Sequence, residues 1–346
     1  MSFVAKSFVA NAISLAERAP LPDAATRAGI EYLVGRTRRR LAALPEPAEA
    51  QFVAEMAQFP IAVATEAANS QHYELPAALF VQMLGPRLKY SCGLFKHPAA
   101  TLAEAEEAAL AETVAHADLA DGQDILEWGC GWGSLTLYMA ERFPAARILA
   151  VSNSASQREY ILTRAAKRGL RNVAVETADM NVFTAPRKFD RLVSVEMFEH
   201  MSNWRALMTR ARDSLHRDGR LFLHVFAHHS RSYRFDPGDP ADWIAKHFFT
   251  GGVMPAFDLA GRFDDLFTLE QSWRWSGLHY ERTAAEWLKN FDAHRRVIDP
   301  VLVATYGADA PLWRRRWRWF LLATMGLFGH NGGETWGVGH YRLAPA

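Results

Sequence analysis

The sequence predicts an α/β protein. Its main body is a Rossmann-like domain, a mainly parallel seven-stranded sheet flanked by helices, and a helical N-terminal extension precedes it. Three observations predict this. Short apolar runs alternate with helical stretches from about residue 101 onward. A glycine-rich turn follows the first of those runs, and no strand pattern precedes it.

Residues 1–85 read as helices punctuated by Pro20, Pro22, Pro45, Pro47, Pro60 and Pro76. The helical stretch TLAEAEEAALAETVAHADL then runs to a turn at Asp121-Gly122. DILEW is the first strand, and the helical run SLTLYMAERF follows its glycines. RILAVS is the second strand, with a helix around SQREYILTRAAKRG. NVAVET, FDRLVSV and GRLFLHVF continue the series. Residues 228–262 are irregular and rich in aromatics and prolines, and read as an insertion over the carboxyl edge of the sheet. LFTLEQSW and VGHYRL supply the last two strands, with helices over about 283–328 between them. The chain therefore divides into a helical region, 1–85, and an α/β domain, 86–346. The first 70 residues suit a substrate lid, a dimer contact or a membrane-facing element.

Composition bounds the function. The 346 residues are 49% hydrophobic and 22% charged, which specifies a packed core. A formal net charge of +1 gives no global field for nucleic acid. The two cysteines, Cys92 and Cys130, make neither a disulfide framework nor a zinc site, and suit a reducing cytoplasm. Lys6, Asn11, Glu17 and Arg18 interrupt the apolar N-terminus, so it reads as an amphipathic helix rather than a signal peptide. Uninterrupted apolar runs of about 18 residues, the length of a membrane span, are absent. Two basic clusters, Arg36 with Arg38–Arg40 and Arg314–Arg316 with Arg318, read as solvated helix faces. In the second cluster Trp313, Trp317, Phe320 and Leu321 share one helical face, a core stripe.

The chemistry concentrates at the strand ends. Glu127-Trp128-Gly129-Cys130-Gly131-Trp132-Gly133 follows a strand and opens a helix. Glycines there let backbone approach a ligand, and the helix start offers free N–H groups. The same turn also suits a tight connection with no ligand. Dinucleotide binding prefers GxGxxG, and GCGWGSL lacks the third glycine at that spacing. The second strand ends at Ser152-Asn153, with Gln157 one turn on, and the third at Ala178-Asp179-Met180. The fourth ends in Val195-Glu196-Met197-Phe198-Glu199-His200-Met201. Two carboxylates and an imidazole there suit acid–base work, or simply a helix start that favours acids.

An acidic residue followed by GxGxG resembles the first motif of class I S-adenosylmethionine methyltransferases. The chain as a whole resembles their cyclopropane-fatty-acid-synthase-like branch, with its strongest likeness to plant coclaurine N-methyltransferases and their relatives. HYELP at 72–76, LKYSCGLF at 88–95, EWGCGWGSLTLYMAERF, VSNSASQ, VEMFEHM and FGHNGGETW carry the resemblance, over roughly residues 70–340. It implies S-adenosylmethionine as cofactor. Tyr90 and Ser91 would close over its methionine end, and Gly129, Gly131 and Gly133 would line it. Asn153 and Gln157 would reach the ribose, and Asp179 with Met180 the adenine. In the coclaurine-like enzymes the catalytic segment matches Glu196, Glu199 and His200. The fatty-acid cyclopropanating enzymes use a set that holds a bicarbonate ion as base, matched here by Cys92, Glu199, His224 and Tyr280. Those enzymes tend to have a small residue at the place of Glu196. FGHNGGETW also suits the amine branch, whereas His224 is the lipid-branch type.

The resemblance implies methyl transfer to the nitrogen of a small amine, with acyl-chain methylation or cyclopropanation as the alternative. A cofactor-binding protein without turnover is a third reading. Methyl transfer is an in-line displacement at a sulfonium carbon, and an attacking amine must be uncharged. Glu199 and His200 would take its proton, with Glu196 holding the amine. Trp243, Phe248, Phe249, Trp273, Trp275 and Tyr280 fall in segments that would cap the site, where aromatics stabilise cations. The expected partners are a small-molecule amine or a lipid and no nucleic acid. A homodimer is compatible with the sequence, as is peripheral membrane contact on the lipid reading.

Overall fold

The computed structural model describes residues 3–45, 48–63, 75–239 and 242–346. His72, Tyr73 and Glu74 of the HYELP block lie outside the described residues. Seven strands form one sheet in the order β3-β2-β1-β4-β5-β9-β8. These are β1 (Asp124–Trp128), β2 (Arg147–Ser152), β3 (Val173–Thr177), β4 (Phe189–Val195), β5 (Leu215–His228), β8 (Phe267–Ser276) and β9 (Trp336–Pro345). β1 to β5 pair in parallel, and β9 runs antiparallel between β5 and β8. All five residues of β1 are buried, as expected of a central strand covered on both faces.

The strand order reverses between β1 and β4, which are neighbours. At such a switch point the loops from the two strands diverge to opposite faces and leave a crevice. The Gly129–Gly133 turn and the Glu196–Met201 segment are the two loops that flank it.

Local sequence sets the helix starts. Thr101 and Glu104 form a reciprocal cap on helix Leu102–His116. The Ser154 side chain accepts from Gln157 N, and the Asn203 side chain accepts from Ala206 N. Between β8 and β9 the chain forms helices Gly277–Ala293, Arg295–Tyr306 and Ala310–Gly329. The N-terminal helices Phe3–Arg18 and Asp23–Ala42 pack against the last of these. The insertion expected at 228–262 carries a two-stranded ribbon, β6 (Tyr233–Arg234) with β7 (Val253–Met254), and a short helix, Trp243–His247.

The Arg314–Arg318 cluster is not the solvated face its composition suggested. Arg314 pairs with Asp292 and Asp299, and Arg318 with Asp292 and Asp23. Arg316 pairs with Glu17 at 2.9 Å, and Arg315 Nε donates to the Glu17 carbonyl at 2.9 Å. The Glu17 carboxylate also accepts from Trp243 Nε1 at 3.0 Å. These bonds clamp the first helix to both the C-terminal helix and the insertion. The intervening stripe is core as expected, with Trp317, Phe320 and Leu321 buried. Among the described residues no helix is long and apolar enough to cross a membrane.

Candidate active site

The carboxyl ends of β1 to β4 and the loop 88–91 enclose a cavity of about 160 Å³. Tyr90, Ser91, Gly129, Gly131, Asn153, Gln157, Asp179 and Met180 line it, as do Glu196, His200 and Tyr280. Gly131 has φ +51°, and a Cβ there would meet no protein atom within 4 Å. It is the open part of the cradle. Gly133 departs from its expected role: it does not line the cavity, and a Cβ there would lie 2.6 Å from the Ile161 side chain. It shapes the turn by letting the helix that begins at Ser134 pack against its neighbour.

Polar groups at the strand ends are fixed before any ligand arrives. Gln157 Oε1 accepts from Ser152 Oγ at 2.6 Å, and Asp179 Oδ1 accepts from Asn181 N at 2.8 Å. Glu127 lines the cavity, and burial pushes its carboxyl up to about 7. An open glycine cradle, with polar groups at three successive strand ends and the apolar faces of Trp132 and Met180, fits S-adenosylmethionine.

Glu196 closes the inner end. Its backbone sits at φ +49°, a left-handed conformation costly for a side chain with a Cβ. Its N–H donates to the His224 carbonyl at 2.8 Å. Oε1 accepts from Cys92 N at 3.0 Å and lies 3.2 Å from His224 Nε2. Oε2 accepts from the Tyr280 hydroxyl at 2.6 Å. Lys89 is buried beside it, with Nζ donating to Ser91 Oγ at 2.6 Å and to the Cys92 carbonyl at 2.7 Å. Burial raises the Glu196 carboxyl above the usual range, while the Lys89 charge and the donated bonds pull it back.

Glu199 is arranged differently. It is fully buried and does not line the cavity. Its Oε1 accepts from Phe226 N at 2.6 Å, and Oε2 has no hydrogen-bond partner among the described residues. Burial, then the charge of Glu196, pushes Glu199 well above the usual carboxylate range. The two carboxyls thus differ in setting: Glu196 accepts two hydrogen bonds beside Lys89, while Glu199 is the more strongly raised of the pair. His200 lines the cavity and stacks on Phe249 at 5.1 Å. His224 is fully buried behind Glu196, and burial holds its imidazole well below its ordinary range.

Of the expected aromatic cap, Phe249 and Tyr280 line the site, and Trp243 lines an adjoining cavity. Phe248 instead stacks on Phe320 in the core. Trp275 packs on His224 and His340, and Trp273 on His116, both behind the sheet ends rather than over the site. Lys89, Trp132 and Phe226 line the site without having been singled out in the sequence. Lys89 stood inside the LKYSCGLF block, where a lysine among apolar residues is the available signal.

The model of the mycolic acid cyclopropane synthetase family matches residues 63–331. The chain belongs to that family. Among curated members it is similar to an (S)-coclaurine N-methyltransferase of Thalictrum flavum subsp. glaucum, 38% identical over 82% of this chain and 80% of the relative. It is also similar to the cyclopropane-fatty-acyl-phospholipid synthase of Escherichia coli (strain K12), 28% identical over 78% of this chain and 66% of the relative. A crystal structure of coclaurine N-methyltransferase, bound to N-methylheliamine and S-adenosylhomocysteine, superposes with a TM-score of 0.90. It is 33% identical, covering 94% of this chain and 96% of the other.

The four residues matched to a bicarbonate site divide in the structure. Cys92, His224 and Tyr280 do converge: Cys92 N and the Tyr280 hydroxyl donate to the Glu196 carboxylate, and His224 Nε2 lies 3.2 Å from it. Glu199, the fourth of the set, faces Phe226.

Proposed function

We propose that this family member transfers a methyl group to the nitrogen of a small, largely aromatic secondary amine. The protein is an S-adenosylmethionine-dependent methyltransferase, and one observation carries the choice of acceptor. The Glu196 carboxylate occupies the ring of donors at the cavity's inner end, so the base is part of the chain. The curated relative of Thalictrum flavum and the superposed crystal structure, both coclaurine N-methyltransferases, support the same reading.

A second cavity of about 630 Å³ adjoins the first. Phe226, Phe249, Tyr280, Phe320 and Thr324 line both. Tyr233, Phe235, Trp243 and Phe328 give it aromatic walls, and its charged lining is mixed, with Asp236, Asp239 and Asp242 against Arg36, Arg40 and Arg234. The aromatic walls suit a ligand with a flat apolar body. The clamp from Glu17 holds the N-terminal helix over this cavity, the lid among the roles open to residues 1–70.

S-adenosylmethionine, when bound, supplies an electrophilic methyl. The chain then has three tasks. It orients the amine against that methyl, excludes water, and takes the amine's proton so that its lone pair is available. Glu196 takes the proton. His200 and Phe249 hold the amine side of the cavity. Glu199 is buried outside the cavity wall, bonded to Phe226 N, and does not face the amine.

The test is release of S-adenosylhomocysteine with a panel of benzylisoquinoline-like and aryl-alkyl amines, against phospholipid vesicles with and without bicarbonate. Release with amines alone is expected. Release only with vesicles, and only with bicarbonate, would overturn the proposal.

A further inference from the structure

We propose that His224, His340 and His116 form a proton path leading from Glu196 to the protein surface. His224 Nε2 lies 3.2 Å from Glu196 Oε1, and His224 Nδ1 lies 2.8 Å from His340 Nε2. His340 Nδ1 lies 2.8 Å from His116 Nδ1. His116 Nε2 lies 3.5 Å from Glu112 on the preceding turn of the same helix, where the side chains are 12% and 33% exposed. Both ring nitrogens of His224 and of His340 are therefore engaged, and both rings are fully buried.

The fold builds this line. His224 on β5 stands directly opposite His340 on β9, and His340 directly opposite Trp273 on β8. Cross-strand partners share a sheet face. Trp273 stacks on the His116 ring at 3.8 Å and fixes it over His340. A neutral imidazole donates from one nitrogen and accepts at the other, so three in series conduct in one direction at a time. The charged groups around the line favour neutral rings. Lys89 faces His224 and His340, Arg342 faces His116, and burial, the largest influence, lowers all three. Glu112 at the outer end acts the other way on His116.

The need for a path rests on the amine reading. A secondary ammonium must lose one proton before its nitrogen attacks, and the tertiary ammonium product keeps the other. One proton per turnover therefore leaves a site in which the Glu196 side chain is 8% exposed. Glu196 receives that proton and passes it to His224 Nε2. His224 Nδ1–H passes to His340 Nε2, His340 Nδ1–H to His116 Nδ1, and His116 Nε2–H to Glu112 or water. Each ring gains one proton and loses one, and Glu196 is again a carboxylate. His224 and His340 then carry their proton on Nε2 and His116 on Nδ1, and the line resets by exchange with water, since no direct shift joins the two nitrogens of one imidazole ring.

Two measurements test it on the full-length protein. The first compares wild type with His116→Ala, at the rim, and His340→Gln, using S-adenosylmethionine and an aryl-alkyl secondary amine. Expected are a fall in kcat of roughly tenfold or more, a larger solvent deuterium effect and unchanged S-adenosylmethionine affinity. Added imidazole should restore His116→Ala. A merely structural role would give neither the isotope effect nor the rescue. Wild-type kcat in both variants, with no isotope change, would overturn the path while leaving the amine reading intact. The second needs no turnover. Nitrogen-15 spectra of the imidazoles should show that Glu196→Gln changes the tautomer of His116. If wild type methylates no amine, the amine reading fails by itself, and these spectra decide: a changed His116 supports the path, an unchanged one overturns it.

Discussion

Tyr280 and Glu196 lie 84 positions apart and meet through a 2.6 Å hydrogen bond from the phenol to the carboxylate. The bond joins a helix between β8 and β9 to the end of β4, and it ties the base in the first cavity to a side chain that lines both. Removing it with Tyr280→Phe leaves the carboxylate with fewer donors. A hydrogen bond to a charged group contributes about 1.5–3 kcal/mol, so kcat should fall by roughly ten- to a hundredfold. The bond favours the charged form of Glu196, so the acid limb of the pH–rate profile should move upward. Steady-state kinetics across pH, with S-adenosylmethionine titrated separately, would read both effects.

Glu196→Gly tests the ring of donors itself. Glycine adopts φ +49° without strain, which offsets part of the cost of leaving the buried donors and Lys89 without the carboxylate. Turnover should drop by about 10²–10⁴, the usual contribution of a positioned base. The vacated donors of Cys92, His224 and Tyr280 should then accept formate or bicarbonate and recover part of the rate. Added anion without effect would show that the pocket does not hold a free carboxylate.

Gly131→Ala separates binding from folding. Its Cβ would touch no protein atom, but it would project into the open cradle. The φ of +51° should cost about 1 kcal/mol in stability. S-adenosylmethionine affinity, measured by calorimetry, should fall far more. Normal affinity would place the cofactor elsewhere.

Stability should depend on pH through Glu106 and Glu127. Burial pushes each up to about 7, against the bonds each accepts. The folded chain then holds protons that the unfolded chain releases between the ordinary carboxylate range and about 7. Where the folded state binds more protons, stability falls as pH rises. Their contribution is fully present below that window and lost through it. Thermal melts from about pH 5 to about pH 8 should show a declining midpoint, and Glu127→Gln should flatten the decline.

Much of this was legible in the sequence because α/β proteins place ligands at strand ends. DILEW, the glycine turn and VEMFEHM each follow from local pattern, and they meet at the β1–β4 crevice. What local pattern does not carry is direction across the sheet. Glu196 and Glu199 are three residues apart, yet one joins the cavity wall and the other turns to Phe226 N. The line from His224 to His116 depends on the β5–β9 register and on where a helix ends, 224 positions before His340. Arg314–Arg318 looked like a solvated face because its partners, Glu17 and Asp23, belong to helices at the other end of the chain.

The left-handed backbone at Glu196 has a consequence for how such an enzyme meets its surroundings. A chain that spends conformational strain to place its own carboxylate is indifferent to how much carbon dioxide the medium dissolves. A borrowed anion can diffuse away carrying the proton it has taken. A tethered one stays, so its proton must depart alone before the next substrate enters.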